Sequence, residues 1–238
     1  MKKFILLMSA VALLTIPAVA RPRTLWMVGD GSMAEYTDSV EAKGWVQYLS
    51  DAFAPKKGVV LNESFVGNSL HMFTNDKAAI RIEKVPARTI MFVQFGTNDL
   101  KEYSAEQHSS LDAFVHRLDE LITIARRNKV NVVLCTPLAQ PYYKDGKLID
   151  RLGGYAEGVR RVAAYNHVAL LDLEQMTRAW LSAMSEEEAA KYYVTIDKEQ
   201  VKEGEYLLNA EGAMVVSQMA KEAIKNVNSK KLKKILKK

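Results

Sequence analysis

Five short apolar runs separated by amphipathic segments constrain this chain more than any other feature. The runs are Thr24 to Val28, Val59 to Phe65, Thr89 to Phe95, Val130 to Thr136 and Ala169 to Leu173. Each is rich in Val, Ile, Leu and Phe and does not alternate with polar residues, which is how strands covered on both faces of a parallel sheet read. From Ser110 to Asn128 the residues Leu111, Phe114, Val115, Leu118, Leu121, Ile122 and Ala125 recur at helical spacing. Gly44 to Phe53 carries Trp45, Tyr48, Leu49 and Phe53 on one side and predicts another helix. Tyr155 to Asn166 and Leu173 to Met184 predict two more, and Asn209 can cap a last helix from Ala210 to beyond Ile224. Strand and helix in alternation define an α/β fold, a three-layer α/β/α sandwich around a parallel sheet of about five strands.

The ends carry different information. Lys2 and Lys3, the apolar stretch Phe4 to Ile16 and the small residues Ala18 and Ala20 form the pattern of a cleavable signal peptide over residues 1–20. The expected mature chain starts at Arg21 and is secreted or periplasmic. No later stretch approaches the ~20 apolar residues of a membrane span. Residues 21–229 then read as one domain and residues 230–238, KKLKKILKK, as a basic tail. The formal net charge is +5, or +3 without Lys2 and Lys3, and much of that excess sits in the tail. Leu232, Ile235 and Leu236 fall at helical spacing, so the tail is expected to extend the last helix as a solvated, fraying end. An anionic polysaccharide or lipid surface is its functional alternative; export excludes nucleic acid. The single cysteine, Cys135, excludes an internal disulfide and reads as a buried strand residue.

Chemistry-bearing residues follow the strands. Gly29-Asp30-Gly31-Ser32-Met33-Ala34 follows the first, NESFVGNSLHMF with Gly67, Ser69 and His71 the second, and FGTND with Asn98 and Asp99 the third. EGEYLLNAEGA, Glu203 to Ala213, precedes the last helix. In an open α/β sheet such loops converge on the C-terminal edge of the strands.

In order and spacing these four blocks resemble the SGNH (GDSL) hydrolase superfamily, and within it the rhamnogalacturonan acetylesterases. GDGSMAEY is similar to the Gly-Asp-Ser-Thr-Met-Ala block of that group, and GWVQYL, Gly44 to Leu49, to its Gly-Trp-Gly-Gln-x-Leu start. VQFGTND matches its Gly-x-Asn-Asp block, and LNAEGA the end of its Asp-x-x-His-Leu-Asn-x-x-Gly-Ala block. The resemblance implies a flavodoxin-like sandwich and carbohydrate ester deacetylation without a cofactor or metal. A serine nucleophile, a histidine base and an orienting acid would do the chemistry. Donors to the oxyanion would be the N–H of residue 31, the N–H of Gly67 and the amide of Asn98.

The triad is where this chain departs. Aligned on those blocks, Gly31 stands at the serine position, Gly204 at the acid position and Leu207 at the histidine position. The expected protein is therefore a catalytically inactive, ligand-binding relative that keeps Gly31, Gly67 and Asn98, with Asp30, Asp99, Ser69 and His71 as supporting residues. Two alternatives stay open: an active esterase rewired through Ser32 and His71, and a scaffold on the same fold. The implied partner is a carbohydrate, acetylated or of the acidic pectin type. Trp26, Tyr36, Tyr142, Tyr143 and Tyr206 are candidate rings for stacking on sugar. His108, His116 and His167 read as exposed or structural, and no His/Cys/Asp/Glu spacing suits a metal.

Overall fold

The chain enters its sheet in the middle. A computed structural model describes residues 21–54, 57–75, 78–86, 88–100, 110–194 and 206–236; the expected signal peptide and Gly204 lie outside them. Strands β1 (Arg23–Gly29), β2 (Gly58–Asn62), β3 (Ile90–Gln94), β4 (Asn131–Cys135) and β7 (Ala169–Leu171) form one parallel sheet in the order β2-β1-β3-β4-β7. The chain passes from β1 outward to β2 and then back across to β3. The gap between the C-terminal ends of β1 and β3 is thus the topological switch point, where open α/β sheets bind ligands.

Helices cover both faces. Successive β1 side chains point to opposite sides. Leu25 and Met27 join Trp45, Leu49, Leu173 and Val216 in one core, while Trp26 and Val28 join Phe73, Phe114, Leu118 and Val159 in the other. The second face is covered by α1 (Leu70–Asn75), α2 (Ala78–Lys84), α3 (Leu111–Arg127) and α4 (Tyr155–Tyr165). The first is covered by α5 (Leu173–Ser182), α6 (Glu186–Ala190), α7 (Ala210–Asn226) and α8 (Lys230–Lys233).

Four expectations need correction. The second run is an edge strand, not one covered on both faces: it stops at Asn62, no strand lies beyond β2 among the described residues, and Val59 and Leu61, on one face, are exposed. Gly44 to Phe53 forms two short 3₁₀ turns, Trp45–Tyr48 and Ser50–Ala52, in place of one helix. Gly44 is pressed onto the backbone there, where a Cβ would stand 2.0 Å from the Ala34 carbonyl oxygen. Tyr143–Lys144 and Lys147–Leu148 form a small antiparallel hairpin, β5–β6, that the reading lacked. Asp145 and Gly146 at its tip both have positive φ, the signature of an Asp-Gly hairpin turn.

The fourth correction is the tail. It does not prolong α7: Val227 is extended, and Ser229 caps the separate helix α8. Nor is it solvated throughout. Leu232 is wholly buried and Ile235 almost so, the Ala54 N–H donates to the Ile235 carbonyl at 2.8 Å, and Leu236 forms a β-bridge with Phe53. The apolar stripe faces inward, packed in the first core with Phe53 and Ile224.

An ionic cluster ties α4 to the end of β7. Arg160 reaches Asp172 at 2.8 Å through both its Nε and an Nη, and it also pairs with Glu174, which in turn holds Arg178. Burial alone would raise the Asp172 carboxyl, but the hydrogen bonds and charge of Arg160 outweigh it and hold it below its ordinary value. A carboxylate depressed in the native state stabilises above its unfolded pKa, and that contribution is lost as pH falls through the lower native value. Asp172→Asn should therefore melt below the wild type at neutral pH, with the gap closing below about pH 4. Melting curves across that range test it; a constant gap would exclude the Arg160 pair as its source.

Candidate functional site

Three loops meet at the switch point. Asp30, buried, turns the first: its Oδ1 accepts from the Ser32 N–H at 3.0 Å and stands 2.7 Å from the Ser32 hydroxyl. The same hydroxyl is 3.0 Å from Gln94 Oε1, which also accepts from the Trp45 indole at 3.0 Å, while Gln94 Nε2 donates to the Thr136 carbonyl. Ser32 is thereby turned toward the Trp45 face of the sheet. Gly31 is buried, and its carbonyl accepts from the Tyr36 hydroxyl at 2.8 Å.

The second and third loops are laced to the first. Asn68 Nδ2 donates to the Gly29 carbonyl at 3.1 Å, and Asn98 Nδ2 donates to the Asn68 carbonyl at 3.0 Å. Asp99 accepts from the N–H groups of Leu70 and Gly96 at 3.1 Å and from that of His71 at 3.4 Å. Ser69 is buried and its hydroxyl accepts from the Met72 N–H, at the start of α1. His71 is half-buried, with Nε2 2.5 Å from Asn75 Nδ2. Gly67 is exposed at φ +77°, with no heavy atom within 4 Å of where a Cβ would be. One hydrogen-bonded chain therefore joins Gly29, Asn68 and Asn98, and Gly31 and Gly67 flank it along the sequence. Asn68 Oδ1 is buried with no hydrogen-bond partner among the described residues.

The fourth block lies against the segment after α6. Leu207 is half-buried and its carbonyl accepts from Val194, while Leu208 bridges Tyr193 and its carbonyl accepts from the Lys43 N–H at 2.8 Å. Asn209 caps α7 through Gly212. The Tyr206 N–H donates to Gln140 Oε1 at 3.2 Å, in the chain after β4. The histidine position of the resembled family thus carries a hydrocarbon side chain, and its neighbour Leu208 belongs to the core.

The aromatic candidates divide. Trp26 is corrected: it is 1% exposed, inside the second core, with its indole donating to Glu63. Period-two geometry turns it away from the edge. Tyr143 donates to the Leu181 carbonyl, and Tyr36 is committed to Gly31. Tyr142 and Tyr206 do come together, edge to face at 5.1 Å, with Tyr193 5.8 Å from Tyr206 and the Arg151 guanidinium 4.4 Å over Tyr142. Of the other histidines, His116 is exposed beside Glu120, His167 is exposed ahead of β7, and His108 lies outside the described residues. Cys135 ends β4 fully buried, and burial pushes its thiol far up. Among the described residues no His/Cys/Asp/Glu group could hold a metal, and no helix is long and apolar enough to cross a membrane. The reading missed Gln94, Asn68 and Gln140. A lone amide at the end of the apolar run of β3 was the available signal for Gln94.

A five-stranded parallel sheet with four blocks in this order defines an SGNH-type α/β hydrolase fold. The sequence matches the GDSL-like Lipase/Acylhydrolase family over residues 27–212, and the chain belongs to that family. It is 25% identical over 172 residues to the probable rhamnogalacturonan acetylesterase YesY of Bacillus subtilis, covering 71% of this chain and 79% of that one. Among solved structures, the Bacillus subtilis protein YXIM superposes with a TM-score of 0.73 at 22% identity; the match covers 86% of this chain but only 56% of that protein. Axe2, an acetylxylan esterase from Geobacillus stearothermophilus, superposes with a TM-score of 0.65 at 17% identity, covering 86% of this chain and 95% of its own.

Proposed function

We propose that this protein binds an acetylated carbohydrate of the acidic pectin type at the C-terminal edge of its sheet and does not hydrolyse it. One observation carries the reading: Gly31 has no side chain and Leu207 no nitrogen, at the positions where an esterase of this family needs its nucleophile and base. The groups that would hold an ester carbonyl, the N–H of Gly31, the N–H of Gly67 and the amide of Asn98, are retained. Tyr142 and Tyr206 supply apolar faces for a sugar ring, and the names of YesY and Axe2 supply the substrate class. The reading includes export through residues 1–20.

The rewired-esterase alternative draws on the 2.7 Å contact of Ser32 with Asp30. That hydroxyl also faces Gln94, and the His71 ring is engaged with Asn75. A fluorophosphonate probe separates the two readings. The purified mature chain should remain unlabelled and show no acetate release from acetylated pectin, while titration with acetylated pectin fragments gives a saturable heat signal. Stoichiometric labelling of Ser32 would establish the rewired esterase, and absent binding would favour a scaffold.

A further inference from the structure

The opposite edge of the sheet, where the strands begin, has no part in that reading. Arg23 opens β1, Lys57 precedes β2, Arg88 precedes β3, Arg126 and Lys129 precede β4, and Lys231 comes from α8. Hydrogen bonds stitch them into one surface. The Arg23 N–H donates to the Lys57 carbonyl at 2.8 Å, and the Arg23 guanidinium lies 3.5 Å from the Arg88 carbonyl. The Asn131 N–H donates to the Thr89 carbonyl at 3.2 Å, and Lys231 donates to Asn131 Oδ1. Arg126 donates to Asn166, just before His167.

Cations near helix C-termini have an ordinary purpose, since they complement the helix dipole. That accounts for Arg126 and for Lys225, which pairs with Glu222 at 3.8 Å. It does not account for Arg23, Lys57 and Arg88, which sit at strand starts. Among the described residues none of the six forms an ion pair with an acidic side chain. Asp119, on α3, is taken up by Asn166 at 2.6 Å. Arg23 and Arg88 are close enough that burial and then the Arg88 charge pull the Arg23 guanidinium below its ordinary value. Like charges held together without counter-charges leave a field that an anion would relieve. The edge also has a recess: a cavity of about 260 Å³ is lined by Arg126, Asn131, His167, Asn228, Ser229 and Lys231.

We infer that this cationic edge is a second binding surface, for a carboxylate-bearing polysaccharide chain. Guanidinium groups pair with carboxylates through two parallel hydrogen bonds, and several cations along one edge suit a ligand that repeats its charge. A lipid bilayer fits less well. The apolar side chains of the basic tail, Leu232 and Ile235, are buried in the core and offer nothing to insert. Tyr165, at the end of α4, is 80% exposed but lines a separate hollow with Asp112 and Asp119, so the surface acts through its charge. The surface is independent of the ester site, so a polymer could be held at one edge while its acetyl groups are presented to another copy at the other edge.

The test is retention of the mature protein by unacetylated polygalacturonate, which carries no ester and leaves the other edge out of the measurement. Affinity electrophoresis should give saturable retention at low salt that weakens steeply as the Debye length shrinks from about 30 Å toward 8 Å. A neutral galactan should not retain the protein. The double variant Arg88→Gln/Lys231→Gln should bind at least about tenfold more weakly. Lys57→Gln/Lys129→Gln, at exposed positions, gives the same readout if the first pair folds poorly. Retention unchanged in both double variants would overturn the inference, as would no retention of the wild type. Stronger capture by phosphatidylglycerol vesicles than by the polymer would replace it with a membrane surface.

Discussion

Gly31→Ser, Gly204→Asp and Leu207→His, made together, are expected to give acetylesterase activity about 10³-fold above any of the single variants. Triad members act as a unit: losing the nucleophile or the base costs ~10⁶ in kcat, so a serine without its base, or the reverse, recovers almost nothing. The loops around the switch point are held in register through Gly29, Asn68 and Asn98, so under the proposed reading the new serine enters a loop that is already ordered. Backbone shape does not oppose it. The described glycines with positive φ are Gly67, Gly96, Gly146 and Gly153, so residue 31 is not confined to the left-handed region. Leu207 is half-buried, and a histidine there costs roughly 1–3 kcal/mol unless its nitrogens find partners. Initial rates on p-nitrophenyl acetate, taken after near-ultraviolet circular dichroism has established folding, decide the matter. A folded triple variant no faster than the singles would show that the edge no longer accepts an ester.

Deleting Lys230 to Lys238 should lower the melting temperature by ~10–20 °C. The deletion uncovers Leu232 and Ile235, each contributing about 1.5–3 kcal/mol by burial, and part of Leu236. It also removes the bridge to Phe53. The sum, about 4–6 kcal/mol, is a large share of the ~5–15 kcal/mol that holds a domain together. At this size each kcal/mol shifts melting by about 2–4 °C. Charge is not the cause, so a tail with every lysine changed to glutamine should melt close to the wild type. A shift of only a few degrees on truncation would return the tail to the status of a frayed end.

What could be read from the sequence follows the physics of burial. Strands covered on both faces leave unbroken apolar runs, so β1, β3 and β4 are visible. An edge strand of the same composition looks identical, which hides the exposure of Val59 and Leu61. Helical period revealed α3, but it could not say that Gly44 touches the Ala34 backbone or that the segment after it divides into two turns at Leu49. Leu232, Ile235 and Leu236 were seen as a stripe; which way the stripe faces depends on contacts with Phe53 and Ile224, which only the assembled layers bring near. At the site, the placement of Gly31, Gly67 and Asn98 in loops that follow strands was legible, because strand ends fix it. Gln94 was not, because its importance lies in three partners far away in sequence. Trp26 was misjudged because one step along a strand reverses its direction.

The bridge between Phe53 and Leu236 has a consequence for the order of events in synthesis. Chains emerge N-terminus first at about 5–20 residues per second, and most domains fold as they appear. Here the plug of the first core lies far along the chain, so Phe53 waits for a partner that emerges only after the rest of the sheet has been made. Closing so long a loop adds little entropy cost over a shorter one, but it cannot begin early. The first core therefore stays unsealed beside Phe53 until residues 232–236 are in place.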